Sequence, residues 1–137
     1  MPLPGISVGR WNALIRTHHI TSRKKVAKLR QAAATEDVYA LLHSGRPPGI
    51  MYVEGTQAGV ESWVATVQRL RYKDFQLASR PSVVERGANV VDEDGNHRQP
   101  GLFEVSAVKD FAADMEKRQV YAWWRKAMGF TGSEDRL

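Results

Sequence analysis

The residues best placed to do chemistry in this chain lie between His18 and Tyr72, and the chemistry they suit is the binding of a polyanion. The run His18-His19-Ile20-Thr21-Ser22-Arg23-Lys24-Lys25 puts two imidazoles and three cations around a predicted helix start. A helix N-terminus carries partial positive charge from its unpaired N–H groups, so a cation there costs about 0.3–1 kcal/mol and an anion gains as much. A phosphate at that point would gain from the dipole, from the N–H groups and from the side-chain charge together. Lys28 lies one turn beyond Lys24 and Lys25 and extends the basic strip. The competing reading is a solvated helix face whose long cationic stems cover apolar surface. The small size of the dipole effect leaves both open.

A second group, Arg69, Arg71, Lys73 and Arg80, surrounds Tyr72 and Phe75. Basic residues interleaved with aromatics suit single-stranded nucleic acid, through backbone neutralisation and base stacking. Phe75 is expected in the core, and Tyr72 either contacts a base or sits at a strand edge. Trp63 falls in a helical stripe and reads as core. Trp123 and Trp124 cannot both face inward from one helix, so one packs and the other is partly exposed. An exposed Trp124 would serve a protein partner or cover an open sheet face.

Little in the sequence suits catalysis, and the protein is expected not to be an enzyme. There is no nucleophile elbow, P-loop, dinucleotide fingerprint or metalloprotease pattern. His18 and His19, read as strand residues, would point to opposite faces and could not share a metal. His43 and His97 are isolated. A calcium loop counted from Asp92 would need a liganding Glu at its twelfth position, which is Phe103. No metal and no cofactor are therefore expected. An acylphosphatase-like activity would need an arginine-bearing N-terminal loop pattern that is absent, and a fold alone does not confer function.

The elements that must position these residues follow from spacing. Residues 9–19 read as an extended first strand. Thr21 or Ser22 offers an N-cap, and Val26, Leu29, Ala32 and Ala33 recur at helical spacing over 22–34. Residues 38–43 and 50–53 are short apolar runs joined by Gly45-Arg46-Pro47-Pro48-Gly49, a hairpin pattern. Thr56 opens the clearest helix, with Val60, Trp63, Val64, Val67 and Leu70 in one apolar stripe. A strand over 73–78 follows, with Phe75 and Leu77 on one face. The order β-α-β-β-α-β is the split βαβ, ferredoxin-like arrangement, with both helices on one face of a four-stranded antiparallel sheet and the other face open unless something packs on it. Residues 80–101 are irregular, a loop or hairpin with a turn at Asp92-Glu93-Asp94-Gly95-Asn96. A strand at 102–105, a helix capped by Ser106 and a second helix from Val120 to Met128 ending at Gly129 complete residues 102–130.

Bulk properties agree with this picture. The 137 residues, 42% of them hydrophobic, suit one α+β domain. With no cysteine, disulfides, zinc–cysteine sites and thiol catalysis are excluded. No apolar run approaches the roughly 20 residues that span a bilayer, and no signal-peptide pattern precedes the domain. The expectation is an intracellular protein, nuclear or cytoplasmic, with no membrane partner. Residues 1–80 hold 12 Lys/Arg against 5 Asp/Glu, a net +7, whereas residues 81–137 hold 8 against 10, a net −2. That asymmetry suggests a polyanionic partner for the first part.

The pattern His18-His19-Ile20 with a basic helix start, then Arg46-Pro47-Pro48-Gly49-Ile50-Met51-Tyr52-Val53-Glu54-Gly55, then Trp63 and Arg69-Leu70-Arg71-Tyr72, resembles the C-terminal domain family of the pre-mRNA splicing factor Prp three. That domain also follows the RWD domain in RWD-domain-containing protein two. The likeness covers residues 10–80 and extends more weakly to about 130. It implies a ferredoxin-like module with C-terminal additions, and in the splicing factor that module contacts small nuclear RNA at a duplex–single-strand junction. The chain is expected to be a free-standing copy, with neither an RWD domain nor an upstream splicing-factor region. The expected role is a non-enzymatic RNA-binding module for structured RNA with a single-stranded end. Arg23, Lys24, Lys25 and Lys28 would hold phosphates, and His18, His19, Arg46, Arg71, Tyr72 and Lys73 would contact bases or backbone. The alternative is a protein-interaction adaptor using the acidic C-terminal part and Trp124, with the basic strip as solvated surface.

Overall fold

The first strand, β1 (Trp11–Thr17), is apolar on both sides: Ala13 and Ile15 enter one core while Leu14 enters another. A strand buried on both faces reads as a continuous apolar run, and this one lies inside the sheet with a strand paired on each side. The computed structural model describes residues 9–85 and 99–129. The predicted turn at 92–96 and His97 lie outside the described residues.

Helix α1 (Arg23–Glu36) starts where Ser22 Oγ accepts the Lys25 N–H at 3.2 Å, satisfying one of the unpaired first-turn donors. It buries Val26, Leu29 and Ala33. Strands β2 (Tyr39–His43) and β3 (Gly49–Gly55) form the expected hairpin, and every residue in both is buried. Helix α2 (Gln57–Arg69) is capped by Thr56, whose hydroxyl accepts the Gly59 N–H at 3.0 Å. Its stripe of Val60, Trp63, Val64 and Val67 is buried, and Trp63 Nε1 donates to the Leu29 carbonyl at 3.1 Å, tying α2 to α1. Both helices pack on one face of the sheet over Ala13, Ile15, Leu42, Met51 and Val53.

Strand β4 (Gln76–Val83) begins and ends later than the spacing predicts. Arg71 and Asp74 both take left-handed backbone conformations, with φ of 60° and 59°, so 70–75 form a turn rather than the start of a strand. Phe75 and Leu77 still pack against the first core, as expected of that face.

The C-terminal part differs most from expectation. Strand β5 (Gly101–Val105) pairs parallel with β2, so the sheet has five strands in the order β4-β1-β3-β2-β5 and is mixed rather than wholly antiparallel. Helices α3 (Val108–Lys117) and α4 (Tyr121–Met128) cover the face expected to be open. Phe111, Met115, Val120, Trp124 and Met128 pack there on Leu14, Tyr39, Leu41, Ile50 and Tyr52. Each fully buried side chain of this size contributes roughly 1.5–3 kcal/mol, so an exposed face of this composition would be unstable. The N-cap of α3 is Ala107, with no side-chain cap bond, and not Ser106. Asp110 in the first turn complements the helix dipole instead. Helix α4 ends at Gly129 with φ of 94°, a left-handed C-terminal residue that suits glycine.

Several buried polar groups on this face of the sheet are paired, although Asn12 Oδ1 is not. The fully buried Glu54 accepts from Arg10 Nε at 2.8 Å and from the Tyr52 hydroxyl at 2.6 Å, and Asn12 Nδ2 donates to Tyr52 at 3.2 Å. Asp114 accepts from the Tyr39 hydroxyl at 2.7 Å and from Arg118 Nε at 2.9 Å. The Arg118 guanidinium lies 3.4 Å from the Tyr39 ring centroid. Burial of ionised groups is tolerated only with partners of this kind.

Candidate nucleic-acid interface

Strand direction gathers the basic segments at one end of the sheet. Strands β1 and β2 finish at that end, and β3 and β4 begin there. The 18–22 loop, the 44–48 turn and the 70–75 turn are therefore neighbours. Backbone hydrogen bonds join them: the His18 N–H donates to the Lys73 carbonyl at 2.9 Å, the Gly45 N–H to Ile20 at 2.9 Å, and the Gly49 N–H to His18 at 3.2 Å. Gly49 permits this close fit, because a Cβ there would collide with Thr17 Oγ1 and approach the His19 carbonyl carbon to 3.2 Å. Three loops remote in sequence thus form one platform.

His18 and His19 follow the end of β1 rather than lying within it, so they do not alternate across a strand. Both are exposed, their ring centroids are 4.7 Å apart, and His18 Nδ1 is 3.8 Å from an Asp74 carboxylate oxygen. Arg46 is exposed in the hairpin turn, and Arg71 and Lys73 are exposed in the turn before β4. Lys24 and Lys28 are exposed on α1. Among the described residues, Lys24, Lys28, Arg46, Arg71 and Lys73 make no ion pair. Asp74 is the one carboxylate within the three loops. Among the described residues no three His, Asp or Glu side chains are grouped to hold a metal ion.

Three of the sequence-predicted residues have structural partners. Arg23 forms a two-pronged pair with Glu104 of β5, at 2.9 and 2.6 Å. Arg30 reaches the same carboxylate at 3.4 Å, and the Ser44 hydroxyl donates to it at 2.7 Å. The Arg23 hydrogen bond, opposed by partial burial and aided by Ser44, holds the Glu104 carboxyl down at about 2. Arg23 is thereby committed to an internal carboxylate. Lys25 Nζ lies 4.8 Å from the Tyr72 ring centroid. Tyr72 itself is a core residue, 7% exposed, and burial pushes its hydroxyl up to about 12 while the Arg23 charge opposes that shift. Its ring is packed below Lys25 and offers no face to a base, contrary to expectation.

Trp124 is 2% exposed, with its ring 5.8 Å from Phe111 and 5.9 Å from Tyr121. The expectation that it lines a partner surface is corrected: it covers the sheet. The half-buried Trp123 touches Tyr52 edge-on at 5.7 Å and lines a cleft of about 590 Å³ with Tyr121 and Lys126. Sequence reasoning missed Glu104 as the partner of α1 and Ser44 as a further donor to it. The alternation Leu102, Phe103, Glu104 could have shown that Glu104 faces the same side as the core residue Leu102, toward α1.

No protein-family model matches the chain, and no curated protein matches it. Among the described residues no helix is long and apolar enough to cross a membrane.

Proposed function

We propose that residues 11–83 form a ferredoxin-like module that binds RNA through the basic end of its sheet, with β5, α3 and α4 as additions. The fold reading is supported by the order β1-α1-β2-β3-α2-β4, the sheet order β4-β1-β3-β2 and antiparallel pairing throughout those four strands. The resemblance of this part to the C-terminal domain of splicing factor Prp three supports the same assignment. The observation that carries the binding reading is the joining of three loops that present Arg46, Arg71 and Lys73 with His18 and His19, next to the start of α1 with Lys24 and Lys28. Unpaired cations on a rigid platform suit a phosphodiester backbone, whose neutralisation releases condensed counterions and makes affinity depend on salt.

The ligand this fits is structured RNA with a single-stranded end, bound without catalysis. Lys24, Lys25 and Lys28 hold phosphates beside the α1 N-terminus; Arg46, Arg71 and Lys73 continue the track across the sheet end. Reversing charge in the Lys24→Glu, Lys25→Glu double variant should weaken binding of a hairpin RNA with a single-stranded tail and lower the salt slope by about 1–2, near one for each lost contact. An electrophoretic shift at low salt and micromolar protein checks this. Equal affinity of wild type and variant, or no shift by the wild type, overturns the reading.

A further inference from the structure

Phe103 is the one large aromatic side chain exposed among the described residues, at 41% of its surface, and it stands on an edge strand. An exposed aromatic ring is not itself unusual, but its surroundings are built. Its ring stacks on Tyr39 with centroids 5.6 Å apart and planes inclined by 29°. Tyr39 is in turn fixed by its hydrogen bond to Asp114 and by the Arg118 guanidinium against its ring. Arg118 is buried and held by Asp114. Burial disfavours its charge, yet Tyr39 and Asp114 more than offset that penalty and raise its pKa. Phe103 thus leans on a rigid, charged column rather than swinging into solvent.

The cleft beside it measures about 290 Å³ and is lined by Leu41, Val105, Gln99 and Lys117 as well as the column. That is close to the lower limit of small-molecule sites, and large enough for one flat ring system. The cleft also adjoins the basic platform. Phe103 precedes Val105 by two residues, and Val105 pairs with His43 and accepts the Ser44 N–H at 3.1 Å, where the hairpin turn begins. At about 3.3 Å per residue, Phe103 lies roughly 7 Å along β5 from that turn. A polynucleotide strand leaving the platform past Arg46 would reach it directly.

We infer that Phe103 and the cleft beside it form a stacking site for one unpaired nucleobase of a strand whose phosphates lie on the basic platform, with Lys117 beside the adjoining phosphate. This rests on the RNA-binding reading and adds to it a base contact on the opposite side of β5 from Glu104. Stacking on a preorganised ring costs little ordering entropy and tolerates any base, because every base has a π-face. The site therefore selects single-stranded over paired RNA, not one sequence over another.

The test compares wild type, Phe103→Leu and Phe103→Trp against a blunt RNA hairpin and the same hairpin with an unpaired tail carrying one 2-aminopurine. Phe103→Leu should bind the tailed RNA about 5–150-fold more weakly, the range for losing one stacked base, with blunt-hairpin affinity unchanged. Phe103→Trp should restore the tailed affinity and quench the 2-aminopurine. Equal tailed affinity for wild type and Phe103→Leu overturns the stacking site while leaving the platform reading intact. Failure of the wild type to bind either RNA overturns both. A concentration-dependent dimer that Phe103→Leu dissociates assigns the surface to a second copy and also overturns the proposal.

Discussion

Arg71 holds a conformation that a long side chain adopts at a cost. At φ of 60° its Cβ crowds the following carbonyl oxygen, an arrangement worth roughly 1–2 kcal/mol against any residue but glycine. Asp74, also left-handed, is a type that tolerates this region; arginine is not. The exposed guanidinium makes no ion pair among the described residues, so no charge pairing of its side chain offsets the strain. Strained residues of this sort cluster at functional sites. Arg71→Gly is therefore expected to stabilise the fold by up to about 1 kcal/mol in urea denaturation while weakening RNA binding several-fold. A variant both less stable and unaltered in binding would assign Arg71 a purely structural role. The charge anomaly at the start of α1 divides in the same way at the level of single residues. Arg23 is answered by Glu104 and Lys25 lies over the Tyr72 ring, which leaves Lys24 and Lys28 as exposed cations with no ion pair among the described residues.

Among elements, β5 is the one whose attachment was least legible in the sequence. Helices α1 and α2 and the β2–β3 hairpin follow from local signals: Ser22 and Thr56 as caps, the Val60-to-Val67 stripe, and the Gly45–Gly49 turn. The partner of a five-residue strand is a long-range choice, and nothing in Gly101–Val105 specifies parallel pairing with β2. The same holds for the start of β4, where two left-handed residues displaced a strand that periodicity alone placed at 73. Trp124 was legible as a helix residue but not as a buried one, because the face it covers was itself unassigned. In the folded chain, Glu104 clamps β5 to α1 through Arg23 and Arg30, and to the start of the hairpin turn through Ser44. Its carboxyl is held at about 2, below the unfolded value of about 4.3. A depressed folded pKa means that the unfolded chain binds the proton first, so the stabilisation is complete above about pH 4.3 and is lost as pH falls towards 2. The stability difference between wild type and Glu104→Gln should therefore be largest near neutral pH and shrink steadily from pH 5 to pH 2. A difference independent of pH in denaturant titrations would show that the clamp acts through packing and not through charge.

At the scale of the whole molecule, one sheet serves two cores. Alternate residues of β1, β2 and β3 point into the α1–α2 layer and the α3–α4 layer, so that Ala13 and Ile15 belong to one core and Leu14 to the other. Neither layer can leave without exposing the reverse side of strands that the other still holds. The polar network adds a second tie, because Tyr39 on the sheet and Arg118 at the end of α3 share Asp114. Two layers coupled through common strands should melt as one unit, since an intermediate with a bare apolar sheet face forfeits most of a core. Truncations on opposite sides test this: Leu29→Ala empties part of the first core and Phe111→Ala part of the second. Losses of about 2–5 kcal/mol and 3–5 kcal/mol are expected respectively. Each variant should still unfold in one transition, with tryptophan fluorescence and far-ultraviolet circular dichroism coincident and the denaturant slope unchanged. Trp63 and Trp124 lie one in each core, so fluorescence samples both sides at once. A biphasic curve for Phe111→Ala alone would mean that α3 and α4 detach as a separate unit. The sheet face beneath them, with Leu14, Ile50 and Tyr52, would then be bare, and the Phe103 cleft would lose the wall that Asp114, Lys117 and Arg118 give it.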